Sequence, residues 1–330
     1  MKTIIVSVVV ISYNQDEYIE QCLNSILEQE FKEGIIEILV HDDNSTDDSR
    51  VIIDKFASDY PDSIIKIYPE KNTFKDGAYK ILIENALPRC SGDYIMFCEA
   101  DDYWIDKHKV KKQYDALSKN CGWAACVHSV NLLDGESEQI LSMVPNDKLR
   151  LRYNSCIPSN RFLYDWIDEG CFFAFNSVMV KRIIFSLQNI PQFFKVSFCM
   201  DYTVMLLAGT CGDIYFIDEI MGSKRVGNLG SLSYKAKKTI SSEVLLNNLN
   251  MDINCFQRFN EYTNYRYKIQ IVNAILKRKK QNDIKHIFWE KVYQKTRYNF
   301  KNFFRNNIIL CNIYLSIENM YLNKRIRHNE

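Results

Sequence analysis

A chain of 330 residues, 47% of them hydrophobic, is long enough to bury a sizeable core and to form more than one domain. The formal net charge is only +1, yet from Met251 to Glu330 sixteen Lys or Arg stand against six Asp or Glu, so the tail is basic and the remainder acidic. No apolar run approaches the ~18–20 residues that cross a bilayer, and an odd count of 11 cysteines without a C-x-x-C pair favours free thiols in a reducing cytosol over a disulfide framework or a zinc site.

Taken in order, Ile4 to Ile11 is β-branched almost throughout, as in a strand buried on both faces. It leads to Ser12-Tyr13-Asn14 with no small-residue cleavage site, which argues against a signal peptide. Asn14 with Glu17 three residues on has the pattern of a capping box, and Ile19, Leu23, Ile26 and Leu27 follow at helical spacing, predicting a helix over 15–30. A second strand, Ile35 to Val40, ends in His41-Asp42-Asp43-Asn44, and Ser45 is placed to cap a helix carrying Ile52, Phe56 and Tyr60. Ile64 to Tyr68 reads as a strand, Gly77 to Leu87 as a helix stopped by Pro88, and Tyr94 to Cys98 as a buried strand. This alternation predicts right-handed βαβ units and a mostly parallel sheet. Further on, Lys107 to Leu117 reads as a basic helix, with strands at Ala124 to Leu133, Phe172 to Val180 and Asp213 to Asp218. Residues 134–160 carry no clear pattern. A short apolar helix opens at Cys199-Met200-Asp201-Tyr202, and Val226 to Tyr234 has the composition of a loop. Beyond about Thr239 glycine and proline vanish and helical periodicity takes over, which divides the chain into 1–238 and a basic helical 239–330.

Three of these strands end in residues that carry chemistry: Ser12-Tyr13-Asn14, Asp42-Asp43-Asn44 and Glu99-Ala100-Asp101-Asp102. In a parallel sheet such ends line one crevice, where ligands bind. Carboxylates packed this closely repel one another unless a positive charge sits among them, and a hard divalent cation with oxygen ligands answers that need. Tyr13 can stack on a flat base and Asp43 can accept from a base N–H, while Glu99 and Asp101 project to the same side of an extended segment. There is no G-x-G-x-x-G and no G-x-x-x-x-G-K-[ST]. In a nucleoside-diphosphate site a cation would then do what backbone amides do elsewhere. His128, inside a strand, reads as a core histidine.

The succession V-S-V-V-V-I-S-Y-N (6–14), V-H-D-D-N-S-T-D-D-S (40–49), G-D-Y-I-M-F-C-E-A-D-D-Y-W (92–104) and C-M-D-Y (199–202) resembles the inverting family 2 glycosyltransferases of bacterial surface-polysaccharide type, over roughly residues 4–234. The resemblance implies a GT-A fold: a Rossmann-like, mostly parallel α/β sheet flanked by helices, here with a C-terminal helical extension. It implies that Ile11, Tyr13 and Asp43 contact the nucleobase and that Glu99-Ala-Asp101 is the D-x-D element. Asp101, with Glu99, would ligate Mg²⁺ or Mn²⁺, Asp102 would lie near the donor sugar, and Asp201 would be the catalytic base. Glu99 departs from the commoner Asp. Arg225, with Lys224 second, would close over the diphosphate from the Val226–Tyr234 loop as a lid. The Q-x-x-R-W element and transmembrane helices of the processive members are missing from the sequence, which points to transfer of single sugars.

The expected activity is metal-dependent transfer of one sugar, probed first with a UDP-sugar, to a glycan or polyprenol-linked acceptor in the cytoplasm. Two other readings stand beside it. A non-catalytic nucleotide-sugar-binding protein would need no base, and a nucleotidyltransferase would carry a glycine-rich loop after the first strand. A nucleic-acid partner is suggested only by the basic, aromatic tail and is not expected. Self-association is left open. The tail's basic clusters, Lys277 to Lys280 and Lys324 to Arg327, alternate with aromatics such as Phe288 and Trp289, a pattern suited to peripheral contact with an anionic membrane.

Overall fold

The computed structural model describes residues 4–73, 79–153, 155–186, 190–197, 199–227 and 242–281. Strand β1 (Ile4–Ser12) leads into helix α1 (Ile19–Leu27), strand β2 (Ile35–Asp42), helix α2 (Ser49–Asp59) and strand β3 (Ile64–Ile67). Val6, Val8, Val9 and Val10 of β1 are all fully buried because helices cover both faces of the sheet here. On α1 the buried residues are Ile19, Cys22, Leu23, Ser25 and Ile26, which is the expected stripe. The capping expectations fail. Helix α1 begins at Ile19 and α2 at Ser49, so Asn14 and Ser45 lie outside both helices and serve the loops instead.

Residues Lys80–Ala86 form a π-helical segment that passes into a 3₁₀ turn at Leu87–Arg89, where Pro88 stops the helix as expected. Strand β4 (Tyr94–Glu99) then returns to the sheet centre beside β1. A buried polar clamp sets its entry: Ser7 Oγ donates to Glu37 Oε1 at 2.5 Å, and Gly92 N donates to Ser7 Oγ at 2.8 Å. A Cβ on Gly92 would stand 2.6 Å from Ser7 N, so the approach requires glycine.

The second half follows as β5 (Tyr103–Trp104), α3 (Lys109–Lys119), β6 (Trp123–Asp134), β7 (Ile140–Val144), α4 (Asp147–Arg152), β8 (Cys156–Ile157), α5 (Ser159–Glu169), β9 (Met179–Lys181), α6 (Gln192–Lys195), α7 (Met200–Cys211) and β10 (Asp213–Val226). The sheet order is β3-β2-β1-β4-β9-β6-β10-β5, with β7 on β6 and β8 on β10. The first four strands are parallel; β9 then runs antiparallel to both β4 and β6, so the complete sheet is mixed. Two expectations change here. Phe172 to Ser177 is not strand, because Phe172 and Phe173 turn into an aromatic cluster with Tyr153, Phe162 and Trp166. Strand β10 runs past Asp218 to Val226, carried through the polar Asp218-Glu219 pair by irregular register between Ile217 and Gly222. His128 is fully buried in β6, as a core histidine.

Residues Met1–Ile271 form one compact unit and Val272–Glu330 a second. Within the first unit the helix Ser242–Tyr262 packs through its aromatics: Phe259 meets Phe193 of α6 edge-on at 5.2 Å, and Phe256 meets Tyr202 of α7 at 5.7 Å. The second unit is described only for the helical residues 272–281. No described helix is long and apolar enough to cross a membrane.

Candidate active site

Register brings the three strand ends together. Ile11 pairs with His41 on one side and Glu99 on the other, and Ser12 pairs with Asp42. The pairing runs past the strands: Asp43 N donates to Ser12 O at 2.8 Å and Ala100 N to Ile11 O at 2.9 Å. Asp43, only 2% exposed, is held in place, its Oδ1 accepting from both Thr73 N and Thr73 Oγ1 at 2.7 Å. The loop-capping work falls to Asp42 instead, which accepts from Ser45 N at 3.0 Å and pairs with Arg50 at 2.6 Å. Tyr13 stands at the rim, 39% exposed.

The acidic turn after β4 lies against the end of β10. Tyr103 pairs with Ser223 and Trp104 with Gly222, so Lys224 and Arg225 run alongside Asp102 and Asp101. Side chains alternate along a strand, and these two cations part company. Lys224 Nζ pairs with Glu99 and lies 3.9 Å from Asp102 Oδ2. Burial opposes the Lys224 charge, but Glu99 and Asp102 hold the ammonium well above its ordinary value. Asp102 is 1% exposed; its Oδ1 accepts from Arg225 N at 3.1 Å, and burial pushes its carboxyl well up against the pull of Lys224. Arg225 is locked: Nε donates to Glu138 Oε1 at 2.9 Å, Nη1 to Asp101 O at 2.6 Å and Nη2 to Gln21 Oε1 at 2.5 Å. Its guanidinium also stacks on Tyr18 and Tyr103.

Asp201 occupies the first turn of α7 and is partly exposed. It is not the cap of that helix, a place taken by Cys199, whose thiol donates to Asp201 Oδ1 at 2.7 Å. Burial and the hydrogen bond with Cys171 raise the Cys199 thiol, the hydrogen bond first, so Cys199 stays protonated and donates. Trp166 Nε1 donates to Tyr202 O at 3.2 Å and fixes the turn that carries Asp201.

The structure therefore gathers Ile11, Tyr13, Asp43, Glu99 and Asp101 at one sheet edge. Arg225 is 3% exposed and held by Glu138, Asp101 O and Gln21, while Lys224 is the cation that pairs with Glu99. Asp102 is buried, and its Oδ1 anchors the backbone of β10 at Arg225. Residues 228–234 of the expected lid loop, and the tail from residue 282, lie outside the described residues. Thr73 and Cys171 escaped the sequence reading, Thr73 for want of any pattern and Cys171 because its partners lie far along the chain.

For a divalent cation the donor chemistry fits. Glu99 and Asp101 supply oxygen ligands only, and the buried Asp102 Oδ2 behind them has no hydrogen-bond partner. One or two carboxylates completed by substrate phosphates is how such ions are held.

Residues 7–183 match the model of glycosyl transferase family 2, and the chain belongs to that family. It is 33% identical over 132 residues to a putative teichuronic acid biosynthesis glycosyltransferase, TuaG, of Bacillus subtilis, covering 40% of this chain and 49% of that one. The chain spans less than half the length of the curated relatives it matches. The fold is also that of residues 1–349 of S. aureus TarS, solved with UDP-GlcNAc (TM-score 0.59, 18% identity, 84% of this chain and 72% of that one). The mannosyltransferase PcManGT of Pyrobaculum calidifontis, solved with GDP-Man and Mn²⁺, shares it too (TM-score 0.52, 14% identity, 96% and 87%). These place the chain in the GT-A fold.

Proposed function

We propose that this protein is an inverting, divalent-metal-dependent glycosyltransferase that moves one hexosyl or N-acetylhexosaminyl unit from a UDP-sugar to an acceptor hydroxyl in bacterial polysaccharide synthesis. The observation that carries the reading is the alignment of Ile11 with His41 and Glu99, which lines up the nucleobase candidates Tyr13 and Asp43 with the acidic turn. The neighbours solved with UDP-GlcNAc and with GDP-Man and Mn²⁺ support the donor class and the metal.

Asp201 Oδ takes the proton as the acceptor oxygen attacks the anomeric carbon. The bond from that carbon to the diphosphate oxygen breaks with its electron pair, and configuration inverts. Cys199 orients the Asp201 carboxylate through Oδ1, leaving Oδ2 for the acceptor. Asp101 and Glu99 would hold the cation, which supplies neutralisation of the charge gained by the leaving diphosphate. The acceptor in this reading is a glycan or polyprenol-linked sugar, met in the cytoplasm at the inner face of the membrane; the basic tail composition supports that placement.

Calorimetry with UDP tests the donor half. Binding is expected with Mg²⁺ or Mn²⁺ and lost in EDTA and in Asp101→Ala, whose circular dichroism stays native. Equal affinity in EDTA would overturn metal dependence, and a product retaining the donor's anomeric configuration by NMR would overturn inversion.

A further inference from the structure

Sulfur and oxygen ligands meet at the amino end of α7. The Sγ atoms of Cys171 and Cys199 and a carboxylate oxygen of Asp201 all lie within 4.8 Å of one another. Three separate local features produce this. Gly170, with φ of +90°, turns the chain out of α5 and sets down the exposed Cys171; Cys199 caps α7; and Asp201 stands one residue inside its first turn. Among the described residues no other group of three His, Cys, Asp or Glu ligand atoms comes so close. Two soft thiolates with one carboxylate, and an open side where Cys171 reaches solvent, make a donor set for a thiophilic tetrahedral ion rather than for Mg²⁺ or Mn²⁺. The hard-ion site proposed at Glu99 and Asp101 has the opposite chemistry, all oxygen, so the two would sort ions between them.

We propose that Cys171, Cys199 and Asp201 form a Zn²⁺ site whose occupancy switches off transfer. Binding exchanges the two thiol protons, which leave to solvent, for two Zn–S bonds. One of them is the proton that Cys199 directs at Asp201 Oδ1. The carboxylate becomes the third ligand, and a water or acceptor oxygen fills the fourth place. Coordination to the cation then lowers the basicity of the Asp201 carboxylate and fixes its orientation, so it takes an acceptor proton poorly. The inhibitory part rests on Asp201 being the base; the binding part does not.

Co²⁺, added to the full chain in a non-thiol reductant, reads the site directly through sulfur-to-cobalt charge-transfer absorption. The band is expected in the wild type and in Cys156→Ser, which removes an exposed thiol outside the cluster. Zn²⁺ should displace it and excess Mg²⁺ should not. Cys171→Ser should weaken Co²⁺ and Zn²⁺ by at least ~10-fold, since even outer-shell changes cost ~10–100-fold. In a transfer assay Zn²⁺ should inhibit the wild type, while Cys171→Ser should resist, each rate being taken relative to the same protein without Zn²⁺. An equal cobalt band in wild type and Cys171→Ser, with both folded by circular dichroism, overturns the site. A cobalt band lost in Cys171→Ser together with wild-type transfer indifferent to Zn²⁺ keeps the metal site and overturns the switch, whereas Asp201 as base stands or falls with Asp201→Asn.

Discussion

Between β1 and β4 the loops that carry the site are fastened by individual hydrogen bonds, whereas from α5 to α7 the chain is fastened by rings. In the first region Asn14 Oδ1 accepts from Thr46 N at 2.8 Å, Asn14 N donates to Ser45 Oγ at 2.8 Å, and Gln15 N donates to Ser49 Oγ at 2.9 Å. In the second, Trp166 is fully buried with Phe162 at 5.3 Å, Phe172 at 5.0 Å and Tyr202 at 5.8 Å. Directional bonds place single atoms at a strand end. The burial that drives ring packing is non-directional and collective, and it sets where a whole helix lies. One region should therefore fail locally and in small steps, the other globally.

The sharpest break of this contrast is chemical. Asp201→Asn, on the ring-held side, should lower transfer by ~10²–10⁴-fold, the usual worth of a general base, with donor binding unchanged. Single-turnover kinetics beside UDP calorimetry separates the two, and transfer within a few-fold of wild type would remove Asp201 from the role. Next in size, Trp166→Ala should cost ~3–5 kcal/mol in denaturant melts as a truncated core aromatic. It should also weaken transfer more than UDP binding, because its indole N–H holds the turn at Asp201.

Lys109 tests the boundary between the regions. It is fully buried on α3, donates to Gln113 Oε1 at 2.8 Å and lies 4.0 Å from the Trp104 ring centroid. Burial lowers its ammonium from 10.5 to about 7. Between those values the unfolded chain holds a proton that the folded one lacks, so stability rises with pH across that window and is lost as pH falls toward 7. Relative to Lys109→Met, the wild type should gain up to a few kcal/mol over this range in melts at stepped pH. A constant difference between the two proteins would mean that Lys109 stays charged in the fold. The smallest effect belongs to Asn14→Gly, which suits the positive φ of 54° and removes only the side-chain acceptor. It should cost ~0.5–1.5 kcal/mol and weaken UDP binding without touching the turn at Asp201.

How much was legible follows the same division. Strands β1, β2 and β4 announce themselves because β-branched or apolar runs buried on both faces have few other uses, and their polar ends then fall into register. Ring packing leaves no period: Phe172 and Phe173 look like strand residues when read along the chain, and only their partners reveal otherwise. Lys224 and Arg225 show the finer limit. Both cations were visible, but which one faces the carboxylates depends on β10 pairing with β5, a choice made across more than a hundred residues. Asn14 fitted a capping pattern, yet its backbone adopts the left-handed region that Asn tolerates, and the helix starts later.

The bonds between the loop after β1 and the loop after β2 have one more consequence. Asn14, Gln15 and Asp16 are each tied to the segment Ser45–Ser49, so the two loops form one plate rather than two flaps. Ordering a loop at the moment of binding costs conformational entropy, and here that ordering is completed when the protein folds. A nucleotide arriving at Tyr13 and Asp43 would meet a surface already at rest. Its dissociation rate, rather than any closing motion on this side, would then set how long it stays.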